Sequence, residues 1–405
     1  MAAGASLLTA VRQAAGGGGE GGRPAQVRPS LGERKESRRM KRRQFLKAAG
    51  ALGAAGVAAA GVASPAISQN RIKWRMQATW RQNSPLLWTG PQLVADYVSK
   101  ASDGRLTIEL YAAGEIAPPL QVMDVVADGG LEMGHGYPAY WAGKLPAVQF
   151  FTPLPFGLTT QEQNAWFRFG GGQEIADKVY GEMGVKFLPS GNTSVQSAGW
   201  FNAEINSLED YKGLKVRSGG LGAKVLREIG ATPVQVPLGE VPQALQTNAI
   251  DGADFVGPLN DMAFGLHKVA KYCVWPGWME PCGVLDCFIN KAAWEELPDD
   301  LKAIVQAANE MANSVVLSEF VAKNAQAYRT LQEEHGVEMR FLDDAVLTGL
   351  GKVAGEVVAA AAKEDALSRE VYDSLMSFRR TVMPYTNASE LAFMQARALD
   401  FPYGT

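Results

Sequence analysis

Apolar residues recur along this chain with two different periods, and the switching between them is the first structural signal. Ile72-Lys73-Trp74-Arg75-Met76-Gln77-Ala78 alternates apolar with polar side chains, the pattern of a half-buried strand. Ser84 and Pro85 then occupy cap and first-turn positions of a helix expected to run to about Ser102. Leu106–Tyr111 alternates again, a helix is expected from about Pro119 to Asp128, and Leu131-Glu132-Met133-Gly134 reads as a strand entering a loop. Strand, helix, strand, helix, strand predicts a mainly parallel sheet with covering helices.

The pattern restarts downstream. A helical stretch over Gln161–Gly184 precedes a strand at Val185-Lys186-Phe187-Leu188, and Gly199–Asn202 and Leu214–Arg217 read as further strands. Helices are expected at Gly222–Ile229 and Val241–Thr247, each leading into a strand, at Pro233–Val236 and Gly252–Val256. Two such runs predict two lobes. After Pro298-Asp299-Asp300, apolar residues at Leu301, Ile304, Val305, Ala308, Met311, Ala312, Val315 and Val316 keep helical spacing, predicting a helix to about Glu334. From Asp343 the tail is mostly helical in pattern.

Composition narrows the class. With 405 residues, 47% hydrophobic and 20% charged, the chain has globular composition and room for two domains. Three histidines and three cysteines are too few ligands for zinc fingers, haem attachment or iron–sulfur clusters. The net charge of −3 hides an asymmetry: residues 1–68 carry eleven Lys/Arg and three acids, leaving 28 basic against 39 acidic residues from Gln69 onward. So acidic a body offers no footprint for nucleic acid.

The basic end has its own explanation. Met40-Lys41-Arg42-Arg43-Gln44-Phe45-Leu46-Lys47 followed by an Ala/Gly/Val stretch has the charge and hydropathy order of a secretory signal, and Arg42-Arg43 resembles a twin-arginine signal. The expected cut follows Ala66-Ile67-Ser68, which predicts a periplasmic protein, with residues 40–68 as signal and residues 1–39 outside the natural protein. For Cys273, Cys282 and Cys287 an odd count leaves at least one unpaired within a monomer, and either one local disulfide or three buried thiols fits.

Catalytic signatures are lacking. His135, His267 and His335 sit in no nucleophile motif; His335 reads as a helix-end residue, His267 as packing, and His135, after Gly134, as a cleft candidate. Gly219-Gly220-Leu221-Gly222 fails as a dinucleotide fingerprint because Val225 replaces the third glycine. Asp251, Asp254 and Asp261 lack the surroundings of a general-acid pair. No enzyme is expected.

One stretch is specific as a whole. Gly191-Asn192-Thr193, Gln196, Gly199-Trp200-Phe201, Lys212–Arg217, Gly230–Pro233, Glu240–Gln246 and Ile250–Asp254 together resemble the solute-binding proteins of TRAP (tripartite ATP-independent periplasmic) transporters. The runs Gly114-Glu115-Ile116, Leu131–His135, Phe255-Val256-Gly257-Pro258 and Pro276–Glu280 are similar to the branch that binds 2-oxo acids and related monocarboxylates with a metal cation.

The resemblance implies an α/β, two-lobed periplasmic binding protein fold with an interlobe cleft and additional C-terminal helices. It also implies a non-catalytic role: capture of a small carboxylate such as pyruvate and delivery to a membrane permease. Lobe I would comprise 69–192 plus about 284–342, lobe II 193–283, and 343–405 a helical region exchanged in a homodimer. By the same resemblance Arg217 anchors the ligand carboxylate, while Gln196, Asp254, the Phe255 carbonyl and Glu280 hold Na+ or Ca2+. Chemistry agrees: a guanidinium meets a carboxylate through two parallel hydrogen bonds, and hard cations want several oxygens. Asn192, His135, Tyr137 and Tyr140 complete the expected ligand site, and no organic cofactor is implied. Asp254-Phe255 departs from the Glu-Trp common among relatives, which leaves the ion open and enlarges the pocket. The rival readings are a twin-arginine-exported enzyme and a ligand sensor that docks to a receptor.

Overall fold

The computed structural model describes residues 71–401, so the 1–39 extension, the signal and its cut lie outside the described residues. Among the described residues, strands β1 (Ile72–Ala78), β2 (Leu106–Tyr111), β3 (Met133–Gly136), β4 (Val185–Asn192) and β10 (Val284–Asn290) form one sheet. Its order is β2-β1-β3-β10-β4, with β1 parallel to β2 and β3 and β10 antiparallel to both neighbours. Strands β5 (Gly199–Phe201), β6 (Lys215–Arg217), β7 (Thr232–Val234), β8 (Gly252–Ala253), β9 (Tyr272–Trp275) and β11 (Glu338–Phe341) form the other. That order is β11-β9-β5-β8-β6-β7, with β6 parallel to β7 and β8 and β5 antiparallel to β8 and β9. Both sheets are therefore mixed, and in the first the parallel pairs do not outnumber the antiparallel ones. The two-lobed α/β architecture stands.

The chain leaves the first sheet after β4 and returns at β10, and the two crossings run side by side. Thr193 N–H donates to the Gly283 carbonyl at 2.9 Å and Gln196 N–H to the Glu280 carbonyl at 3.2 Å. Glycine is needed for this approach: a Cβ on Gly277 would overlap the Gln196 carbonyl, and one on Gly283 the Thr193 hydroxyl. A third crossing follows the helix Asp299–Glu333, which packs on β4 and the helix Thr89–Ala101 and also on Pro258–Ala263. Leu301, Val305, Ala308, Ala312, Val316 and Phe320 supply its buried stripe. β11 then pairs with β9, so this part of 284–342 joins the second sheet and not the first.

Two local differences from the sequence reading have backbone causes. The helix expected from Ser84 begins at Thr89, because Asn83 and Leu86 take φ of 58° and 64°, outside the helical region. The turn so formed, Trp80–Trp88, reaches the second lobe: Arg81 Nη2 donates to the Gly239 carbonyl and Asn260 Nδ2 to the Pro85 carbonyl, each at 2.8 Å. The stretch Gln161–Gly184 divides into helices Thr160–Phe169 and Gly172–Gly181 at Gly171, whose φ is 82°. Thr159 and Glu162 close a capping box at the first of these.

Packing fixes the frame. Phe151, Trp166, Phe167, Tyr180 and Phe187 pack their rings under the first sheet. Helices Asp344–Ala361 and Ala366–Thr386 add Val357, Val358, Ala361, Val371 and Leu375 to the same core. All three cysteines are buried free thiols, the second of the two readings open at the sequence level. Among the described residues, no helix is long and apolar enough to cross a membrane.

Candidate functional site

Arg217 closes β6, at the strand end where the chain turns into the helix Gly220–Glu228. Its guanidinium is buried, donating from Nη1 to the Asp254 carbonyl at 2.8 Å and from Nε to the Val236 carbonyl at 3.3 Å. The Asp254 carboxylate lies 3.8 Å from Nη1. Burial alone would lower the Arg217 pKa, but Tyr140, Asp254 and Glu280 around it carry it above the ordinary guanidinium value. It is a fixed positive charge in a dry place.

A cavity opens in front of that charge, with Tyr137, Tyr140, Thr193, Gln196, Arg217 and Glu280 as its polar lining. Trp80, Leu87, Leu238, Phe255, Val256 and Leu285 form the apolar remainder. Both sheets and both crossings contribute: Trp80, Leu87, Tyr137 and Tyr140 from the first lobe, Arg217, Leu238 and Phe255 from the second, Gln196 and Glu280 from the crossings.

The oxygens beside the cavity are under-satisfied. Gln196 donates from Nε2 to Thr193 Oγ1 at 2.9 Å, while its Oε1 is buried without a partner. Asp254 Oδ1 is buried and unpartnered as well. Tyr137 OH donates to Glu280 Oε1 at 2.7 Å. Burial and then the neighbouring Glu280 charge hold the Asp254 carboxyl well above the usual carboxylate range, and burial raises Glu280 too. Orphaned oxygens cost free energy unless something pairs with them. Two carboxylates, an amide oxygen and carbonyls are hard-cation donors. Among the described residues no group of three or more His, Cys, Asp or Glu converges.

The structure thus gathers Tyr137, Tyr140, Gln196, Arg217, Phe255 and Glu280 on one cavity, with Asp254 immediately behind Arg217. Two expected residues stand off it. His135 is fully buried one layer back, its Nδ1 accepting from Trp80 Nε1 at 3.0 Å. Asn192 is also fully buried, its Oδ1 accepting from Ser194 N–H at 3.0 Å and Thr160 Oγ1 at 3.3 Å. Asp251 and Asp261 are committed to the frame. Asp251 Oδ2 accepts from Lys215 N–H, and Asp261 takes Trp200 Nε1–H at 2.7 Å and Gly257 N–H at 2.9 Å, shaping the turn after Phe255. Trp80, Leu87, Thr193, Leu238, Val256 and Leu285 were missed. Of these only Thr193, inside the informative 191–196 run, and Val256, inside the run 255–258, had a sequence signal.

An interlobe cavity with a buried arginine and unpaired oxygens defines a solute-binding protein, and comparison with known proteins agrees. Residues 77–365 match the model of bacterial extracellular solute-binding protein family 7, to which the chain belongs; these are the TRAP transporter solute-binding proteins. The monocarboxylate 2-oxoacid-binding periplasmic protein of Nostoc sp. (strain PCC 7120) is 35% identical over 358 residues, covering 87% of this chain and 98% of that protein. A TRAP periplasmic solute-binding protein of Pseudoalteromonas atlantica, solved with bound sodium and pyruvate, is 36% identical with a TM-score of 0.78, over 80% of this chain and 99% of that one. A third, from Bordetella bronchiseptica, is a mixed-occupancy dimer with copurified calcium and picolinate in one site; identity is 30% and the TM-score 0.79, over 81% and 97% of the two chains.

Proposed function

We propose that this protein captures a small 2-oxo monocarboxylate, such as pyruvate, together with Na+ or Ca2+, and passes it to a TRAP membrane permease. The observation that carries this reading is the pairing of a buried Arg217 and the orphaned oxygen Gln196 Oε1 on one cavity with the orphaned Asp254 Oδ1 of the carboxylate behind Arg217. Arg217 binds the ligand carboxylate; Gln196, Asp254, the Phe255 carbonyl and Glu280 hold the cation, whose charge offsets the two buried carboxylates. Burial keeps water out, so both charge contacts act at low dielectric. Tyr137 and Tyr140 supply hydroxyls at the rim of the same space.

Two further parts of the reading concern export and assembly. The twin-arginine-type leader at 40–68 carries the folded chain to the periplasm. The C-terminal region assembles a homodimer: from Tyr385 onward the chain leaves Tyr385, Phe393 and Leu399 largely exposed, apolar side chains that a second copy would cover.

Titration calorimetry of ligand-free, refolded protein with pyruvate, in Na+, in Ca2+ and in chelator alone, tests the proposal. Cation-dependent heat that disappears in Arg217→Ala, at unchanged melting temperature, is the expected result. Equal affinity in wild type and variant overturns it.

A further inference from the structure

We infer that Trp80 is the wall that limits the length of the bound acid, and that His135 is the positioning residue that holds it in place. The choice of probe ligands rests on the 2-oxo-acid reading above; the geometry does not. With the carboxylate and cation contacts at the polar lining, the carbon tail of a ligand is left to the apolar remainder, of which Trp80 is the largest side chain. Trp80 is 3% exposed. A buried indole N–H needs an acceptor, and where that acceptor sits decides how the ring turns.

His135 is that acceptor, and it grips the segment twice. Its side chain takes Trp80 Nε1–H on Nδ1 at 3.0 Å, and its own carbonyl accepts Thr79 N–H at 2.9 Å. The two rings meet edge to face, 6.0 Å between centroids at 73°. His135 itself sits in β3 between Ala78 on β1 and Cys287 on β10, in the middle of the first sheet. An Nδ1 that accepts places the ring proton on Nε2, and a Cβ on Gly90 would lie 3.2 Å from that nitrogen. Burial lowers the imidazole pKa to about 4, so the accepting lone pair persists through the neutral range. On its cavity side Trp80 leans on Tyr140, with centroids 6.4 Å apart, and Tyr140 adjoins Arg217. A turn of the indole would therefore move both the apolar wall and the ring beside the anchor.

The test uses the full chain and two probe acids, pyruvate and 4-methyl-2-oxopentanoate. Since a methylene in an apolar pocket is worth ~10–200-fold in discrimination, Trp80→Phe is expected to shift the affinity ratio at least ~10-fold toward the longer acid. His135→Phe shifts it in the same direction, His135→Asn restores an acceptor and most of the wild-type ratio, and His135→Phe adds less than about twofold on the Trp80→Phe background. An unchanged ratio in Trp80→Phe overturns the wall; independent, additive effects of the two sites overturn the positioning role. A second measurement needs no ligand. The Trp80 indole N–H resonance, assigned by its loss in Trp80→Phe, should exchange slowly with deuterium in wild type and His135→Asn and fast in His135→Phe. Should wild type bind neither acid, the 2-oxo-acid reading falls, and fast exchange of the wild-type indole refutes the Trp80–His135 assignment on its own.

Discussion

Asp286 offers a prediction whose size follows from the structure. It lies at the middle of β10, fully buried, with Gly136 opposite on β3 and Pro189 on β4. Its Oδ2 accepts from Trp141 Nε1 at 3.0 Å and Tyr180 OH at 2.9 Å, while Oδ1 has no partner. Burial, only partly offset by those donors, pushes its pKa from an ordinary 3.8 up to about 7. Because folding raises this pKa, the native state holds the proton more tightly than the unfolded chain does. Asp286 therefore favours the fold most below about pH 4, loses that advantage as pH rises to about 7, and contributes a constant penalty beyond. At about 1.4 kcal/mol per pH unit, the window is worth about 4 kcal/mol. Asp286→Asn keeps an oxygen for Trp141 and Tyr180 and carries no charge, leaving a pH-independent cost of about 1 kcal/mol for an unpaired amide. Urea unfolding of wild type and variant at intervals from pH 4 to 8 is the assay, read as the difference at each pH so that other titrating groups cancel. The variant should gain on wild type by about 3–4 kcal/mol between the ends of that range. A pH-independent difference would refute the reasoning, because the carboxyl would then titrate alike in both states.

Two smaller perturbations probe the crossings and the turn at the cleft. Gly283→Ala drives a Cβ into Thr193 Oγ1 and toward Gln196 Nε2, so it should weaken cation binding at least ~10-fold and destabilise the fold by ~1–3 kcal/mol, by calorimetry and thermal melts. Asn260→Ala removes the 2.8 Å bond to the Pro85 carbonyl; ligand dissociation should speed up by about 5–10-fold in stopped-flow displacement, the equivalent of ~1–1.5 kcal/mol.

Much of the frame was legible because its residues announce themselves locally. Arg217 ends a short strand whose apolar and polar residues alternate, Leu214-Lys215-Val216-Arg217, and the apolar spacing from Leu301 to Val316 reads as one helix face. Gln196, Asp254 and Glu280 emerged from a family pattern, not from periodicity. What escaped depends on tertiary placement. Leu86 adopts a left-handed conformation that nothing in its residue type suggests, and that turn is what brings Trp80 and Leu87 to the cavity. His135 and Asn192 follow glycines at strand ends and look like cleft residues, yet β10 and the Trp80 ring cover them. β10 itself, Val284-Leu285-Asp286-Cys287-Phe288-Ile289-Asn290, is buried on both faces and so shows no alternation to read.

The position of β10 also sets an order of events during synthesis. It fills the gap between β3 and β4, yet 98 residues separate Asn290 from Asn192 at the end of β4. At about 5–20 residues per second, the ribosome needs roughly 5–20 s to deliver the missing strand. Through that interval β3 and β4 each present an unpaired edge, an invitation to foreign strands. Arg217, Asp254 and strands β5 to β9 of the second sheet emerge in the same interval, before the first sheet can close. Until Asn290 has cleared the exit tunnel the facing edges of β3 and β4 stay unpaired, and a chain cut between Asn192 and Val284 keeps both of them open.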